Sequence, residues 1–567
     1  MRNTLLSTLV VALLLGASSP LVAQSELSKD AKPLVAVSFS GYDQFFADLE
    51  LIGKLSDNPD LAKGLEAMLK LFTRSRGLEG LDKARPWGAV LQTDGQNHGA
   101  HGFIPVTDLK KLLAVLEPFI GKAKDVGDGV FKIKTKKKPL FIQQKGDWAF
   151  FADSADLLRY APVDPLALVG QLKQHYDLAV RFYVSNAPSQ VREEFIAKAK
   201  ENVKRDLQRK PGENDQEYAV RKTVGERMGR TVLAMAKELD EVTIGWALDH
   251  EAEKTYLDVT MTAVEGTGLA RQFAQMGKTR SNFGGFHLPD AAVTGSWTGR
   301  TSVSQEDVAG IATIFDAVRT KAFSDIERQG KPEQETKLGK QLVGDVLDVV
   351  QQTLASGSVD GGMAAMLDPD AVTLLAGGYV ADPARLDKAA KVLVDVARQQ
   401  EPASADWVKL DADQFRDVRF HTVSIPIPPD ADDRDKVVRL IGEKLEAVVG
   451  FGERSIYVAA GRDALKTLKR AIEQSVQQSN RTVPPVRLSV ALGPLAKFVA
   501  EVGEEKDRPK AAKAAEVLSK MAGKDHVILV ASPMDRGVRV RMELEEGILK
   551  LIGAMGTKKG SGGTASL

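Results

Sequence analysis

The chain contains no cysteine. That absence excludes disulfides, thiolate metal sites, a thiol nucleophile and a lipid-bearing N-terminal cysteine. Small exported domains often need disulfides, but a chain of 567 residues can stabilise itself by core burial. An excess of charge of one sign is also lacking, with 77 Lys and Arg against 76 Asp and Glu. Removing Arg2 with the leader described below leaves 76 against 76, a mature net charge of zero with neutral histidines. Such a balance steers the chain toward neither nucleic acid nor anionic lipid. No apolar run beyond the N-terminus approaches spanning length. The local signatures of phosphate-binding loops, serine-hydrolase elbows, HExxH zinc sites and dinucleotide folds are missing as well.

At the N-terminus stands a leader. Arg2 precedes the apolar stretch Leu5–Leu15, and Gly16, Ser18, Ser19 and Pro20 interrupt it before a cleavage point after Ala23. Residues 1–23 therefore read as a signal peptide, and the mature chain as exported, to the periplasm or beyond. The Gly/Ser-rich end, residues 556–567, has no apolar period and reads as a disordered tail.

Between these ends the same plan occurs twice, at a spacing of roughly 285 to 307 residues. Trp148–Leu158 matches Ser455–Leu465: an apolar strand, a turn and a helix start with Asp156 or Asp463 at the same offset. Leu178–Pro188 matches Pro484–Pro494, and the strand pair in Val242–Gly266 matches that in Val527–Gly547. Leu34–Phe39 answers to Val293–Trp297, Phe103–Phe119 to Leu374–Val396, and Val130–Ile133 to Val418–Ile425. Val538, Val540, Met542 and Leu544 alternate with Arg539, Arg541, Glu543 and Glu545, which predicts a strand with one wet face. Leu338, Leu342, Val346, Val349 and Val350 carry helical spacing, and Ser304 with Asp307 predicts a capped helix start. The fold class is α+β: two related halves, residues 24–285 and 286–555, each a mainly antiparallel sheet of about seven or eight strands packed with amphipathic helices. A linker is expected within Asn282–Pro289, where glycine and proline cluster.

Candidate chemistry is sparse. His98 and His101 stand three apart, a ligand spacing on a helix, but Gly99 and Gly102 predict a polar hairpin turn instead. The acidic loop Pro429–Asp435 resembles a calcium loop only in its carboxylates. Counted from Asp430, the sixth position holds Asp435 instead of glycine and the twelfth holds Ile441 instead of glutamate. It reads as a solvated connection that caps the next helix. Lys132–Lys138 is the one strong basic run, suited to an acidic polymer or headgroup surface, and more simply a hairpin edge kept soluble by lysines. The tryptophans Trp87, Trp148, Trp246, Trp297 and Trp407 are expected to pack within the protein. No catalytic, cofactor-binding or metal-ligating residue is assigned.

The segments FIPVTDLKKLL and KKPLFIQQKGDWAFFADSADLL resemble those of large exported bacterial proteins, the planctomycete-type envelope proteins with repeated α+β modules. The resemblance implies an exported envelope protein and carries no catalytic residue. The reading that results is a non-enzymatic binding or structural protein, using sheet edges or a cleft between halves, with an envelope protein or polymer as partner, no nucleic acid and no cofactor. An envelope hydrolase without local motifs, or a soluble carrier of lipid or small molecules, is the alternative.

Overall fold

The computed structural model describes residues 27–556 apart from 29, 57, 136, 137, 160, 163, 170, 278 and 401–405. Residues 1–23, read above as a signal peptide, and residues 557–567 of the tail lie outside the described residues. The chain divides into two compact units. Unit 1 takes Met1–Phe195, Glu238–Thr267 and Arg539–Leu567, and unit 2 takes Ile196–Lys237 and Gly268–Val538.

Unit 1 is built on β1 (Lys32–Phe39), β2 (Trp87–Thr93), β3 (His98–Pro105), β4 (Ala123–Asp125), β5 (Val130–Ile133), β6 (Leu140–Lys145), β7 (Trp148–Ala152), β8 (Leu178–Tyr183), β9 (Leu239–Asp249) and β10 (Lys254–Ala263). They pair antiparallel in the order β4–β5–β6–β7–β3–β2–β1–β8–β9–β10. The run Trp-Ala-Phe-Phe-Ala of β7 is buried at every position. Side chains alternate across a strand, so such a run belongs to a sheet covered on both faces. Trp148, Phe150 and Ala152 enter one core with Phe103, Leu158 and Val169. Ala149 and Phe151 enter another, with Leu109, Leu112 and Leu113 of the helix Leu109–Ile120. Asp108 starts that helix by accepting the Lys111 N–H, which satisfies one of its free donors.

Unit 2 contains β11 (Val293–Arg300), β12 (Ser358–Asp368), β13 (Ala371–Tyr379), β14 (Val408–Phe415), β15 (Val418–Pro426), β16 (Lys444–Phe451), β17 (Ser455–Gly461), β18 (Val486–Ala491) and β19 (His526–Met534). They too pair antiparallel, in the order β14–β15–β16–β17–β13–β12–β11–β18–β19. The core joins Phe420, Val448 and Tyr457 of this sheet to Leu468, Ala471 and Ile472 of the helix Ala464–Gln478. Two long helices, Gln305–Arg328 and Glu333–Ala355, belong to the same unit, the first opened by the capping box of Ser304 and Asp307. The last strand, β20 (Gly537–Leu544), lies beside β10, and its residues from Arg539 onward belong to unit 1. The fold class is α+β, with antiparallel strand pairing throughout the registers given above. Among the described residues no helix is long and apolar enough to cross a membrane.

Three local expectations differ from the structure. The Asn282–Pro289 segment is not an open linker: Phe283, Phe286 and Leu288 are buried in the unit 2 core. Its glycines serve close packing, since a Cβ on Gly285 would stand 2.2 Å from Ser475 N and 2.3 Å from Ala471 O. His98 and His101 lie on β3 and not in a turn; the turn falls at Asp94–Asn97, where Asp94 accepts the N–H groups of Gln96 and Asn97. Gly99 and Gly102 are strand glycines because side chains cross them, a Cβ on Gly102 meeting the Phe151 ring at 2.1 Å. On β20 the wet and dry faces are reversed in part: Met542 is exposed, while the side chains of Arg541 and Glu543 are mostly covered.

Gly285→Ala forces a methyl onto helix backbone and is expected to destabilise the protein by about 2–3 kcal/mol or more. Gly299→Ala, on β11 with open space around its Cα, is expected to stay within about 1 kcal/mol of the parent. Urea unfolding of the two variants checks the contrast.

Candidate functional site

Among the described residues one group places metal-type ligand atoms within 4.8 Å of each other: Asp387, Asp411 and His421. Asp387 comes from the helix Pro383–Gln400, Asp411 from β14 and His421 from β15. The β14–β15 register breaks between Lys409 and Asp413, leaving Leu410, Asp411 and Ala412 opposite His421. Asp411 takes a left-handed conformation there, φ 47°, so its N–H turns onto His421 Nδ1 at 2.9 Å. With Nδ1 accepting, the imidazole proton sits on Nε2 and is donated to Asp387 Oδ1 at 2.7 Å.

Two carboxylates and an imidazole suit a divalent cation in type. Here the positive charge comes from the protein. Lys391 Nζ stands 3.0 Å from Asp411 and 3.4 Å from Asp387, and an Arg419 guanidinium nitrogen lies 2.8 Å from Asp387. The Lys391 ammonium, bridging both carboxylates, occupies the place a cation would take; its bond to Asp411 raises the Lys391 pKa and lowers that of Asp411. Both imidazole nitrogens are engaged, so the group is closed as an ion cluster.

A second polar cluster lies in unit 1. Asp258 of β10 is fully buried, and Arg541 of β20 grips it through Nε at 2.7 Å and a terminal nitrogen at 2.8 Å. Tyr176 donates its hydroxyl to Asp258 at 3.0 Å, and burial followed by the Asp258 charge pushes the Tyr176 pKa up to about 12. The Tyr176 ring lies over Gly245 of β9, where any Cβ would stand 2.5 Å from it. The Arg541 guanidinium lies 3.8 Å from the centre of the Tyr256 ring, a cation–π contact. Also in unit 1, His250 Nε2 meets the buried Asp48 at 2.8 Å, and Gln44 donates to the same oxygen at 2.9 Å. Burial raises the pKa of Asp48 and of nearby Asp177.

Of the residues weighed from sequence as candidate ligands or as charged runs, none joins these clusters, and Arg541 was read only as a wet-face position of its strand. His98 and His101 are three apart on a strand and so face opposite sides of the sheet; one ion cannot hold both. Asp433 adopts φ 51° before the helix Arg434–Ile441 and makes no side-chain cap, contrary to the expected capping role. The described part of the basic run connects β5 to β6, with Lys138 paired to Asp153 at 3.2 Å. Trp148 is a core residue, as its strand context indicated. Asp387, Asp411, His421, Asp258 and Arg541 gave no local signal, because each cluster draws its members from separate strands and helices.

No family model, curated protein or solved structure matches the chain.

His287 yields a pH prediction. Its Nδ1 lies 2.9 Å from Thr294 Oγ1 and its Nε2 2.8 Å from Ser296 Oγ, and burial, aided by Arg487, lowers its pKa to about 4. The folded state thus favours neutral imidazole, a stabilisation complete above the unfolded value near 6.5 and lost as pH falls toward 4. Relative to His287→Gln, the parent is expected to lose on the order of 1 kcal/mol of unfolding free energy per pH unit across that window. Urea titrations of both proteins at several pH values read the difference.

Proposed function

We propose that the chain is an exported envelope protein, built by internal duplication, that acts by binding another protein and not by catalysis. Eight strand pairings of unit 2, from β14–β15 through β18–β19, repeat in chain order the eight from β4–β5 through β8–β9 in unit 1, which supports the duplication. Helices recur at the same points, Leu109–Ile120 after β3 and Pro383–Gln400 after β13, Ala155–Arg159 after β7 and Ala464–Gln478 after β17.

The observation that carries the binding reading is an exposed apolar stripe on the helix Glu333–Ala355: Val346, Val350 and Leu354 are all exposed and share one face. A second stripe, Val224, Met228 and Val232, runs along the helix Asp215–Glu238 in the same unit. Contiguous exposed apolar faces favour protein association, whereas isolated exposed side chains need no explanation. Sheet edges are poorer candidates. The outer strand β4 has three residues, and β14 is broken by its irregular register; both features discourage strand addition.

The mature protein purified from its own envelope fraction is expected to carry a stoichiometric protein partner in native mass spectra. Val346→Glu with Val350→Glu is expected to abolish that partner while leaving the melting temperature within about 3 °C, since both sites are exposed. A partner retained in full by the double variant would overturn the assignment of this face, and a bare chain in the parent would overturn the binding reading.

A further inference from the structure

Unit 1 contains a cavity of about 190 Å³ between β2, β3 and the end of the helix Ala155–Arg159. Gln92, Gly99 and His101 form its floor, Leu157 and Arg159 its wall, and Leu27, Ser28 and Ala31 its roof. Gln92 stands opposite Gly99 in the β2–β3 register, and Gly99 and His101 share one face of the sheet. Gly99 lets the two leucines close over the strand: a Cβ there would lie 2.0 Å from Leu27 Cδ1 and 2.5 Å from Leu157 Cδ2. The roof is tied down by Asp94, which accepts the Ser28 N–H at 3.1 Å. The wall is tied by Lys145, whose Nζ donates to the carbonyls of Leu158, Arg159 and Ala161 at 2.5, 3.1 and 3.2 Å.

His101 is 4% exposed, and its Nε2 has no hydrogen-bond partner. Buried polar atoms are normally paired, so an unpaired ring nitrogen on a residue that lines a cavity calls for a group to meet it. Burial, with help from Lys145, lowers the His101 pKa to about 4, so the ring is neutral at physiological pH and offers one donor and one acceptor. Positive charge is supplied by Arg159, which Asp156 approaches only to 3.6 Å, and by Lys145 behind the wall. The apolar part of the lining, Leu27, Ala31 and Leu157, lies beside these polar groups.

We propose that this cavity binds a small organic carboxylate whose apolar body is about the size of a six-membered ring. Size sets the body, because an apolar cavity of ~150 Å³ accommodates benzene. One carboxylate oxygen meets the Arg159 guanidinium and the Gln92 amide, and the other accepts from the His101 imidazole through Nε2, the nitrogen left without a partner. The site is separate from the helix faces of unit 2 and stands independently of the binding function assigned to them.

Benzoate is the probe. Titrated into the full mature chain, it is expected to produce a saturable shift of the His101 ring resonances in proton–nitrogen NMR and a one-to-one calorimetric isotherm. Arg159→Gln, at an exposed position that leaves the fold intact, is expected to weaken benzoate about tenfold through loss of a charge-assisted bond. No saturable shift by about 10 mM benzoate would overturn the site. Benzyl alcohol binding as tightly as benzoate, or an unchanged affinity in Arg159→Gln, would overturn the carboxylate assignment.

Discussion

Asp258 is a charged group with no exposed surface, and a buried carboxylate is tolerable only when paired and hydrogen-bonded. Its partner, Arg541, arrives 283 residues later in the chain. The two-pronged contact, the Tyr176 hydroxyl and the Tyr256 ring together satisfy the charge. This requirement draws β20 to the side of β10 within unit 1, although most of the chain between them folds as unit 2. Gly245 beneath Tyr176 and the reversed exposure of β20 both follow from it. Removing the guanidinium would strand the carboxylate, so the end of the chain is bound to its middle by electrostatic necessity.

The same logic separates closed from open features elsewhere. Asp387, Asp411 and His421 sit among Lys391 and Arg419, with each imidazole nitrogen already bonded, so the cluster holds a β14 irregularity in place. Asp48 has His250 and Gln44. Unmet demands include exposed Val346, Val350 and Leu354 and, among several buried polar atoms without a partner, the Nε2 of His101, which lines a cavity. A functional reading belongs with these unmet groups, because a ligand or partner gains most where the protein has left something unsatisfied.

Much of the architecture was legible in the sequence. The apolar run of β7 announced its strand, though not that both faces are covered, and the Ser304–Asp307 box announced its helix. The segments compared across the chain fall on β1 and β11, β3 and β13, β5 and β15, β7 and β17, β8 and β18, and the final strand pairs. Glycine misled the reading twice. At Gly99, Gly102 and Gly285 it marks neighbours crowding the backbone, which local sequence cannot distinguish from a turn or linker. The polar clusters were illegible for a different reason. On β20 the alternation was visible, but a wet face and a face of buried ion pairs have the same pattern when the pairing carboxylate lies hundreds of residues away. His421 was equally hidden, since its burial depends on the irregularity in β14.

The most direct test of the dependence on Asp258 and Arg541 is a double-mutant cycle with Asp258→Asn, Arg541→Met and the combined variant, measured by urea unfolding. A satisfied buried pair predicts that each single change costs about 3–5 kcal/mol and that the double variant is less destabilised than their sum by roughly 2 kcal/mol or more. Additive effects, or single variants near the parent in stability, would contradict the account and reduce the pair to an incidental contact.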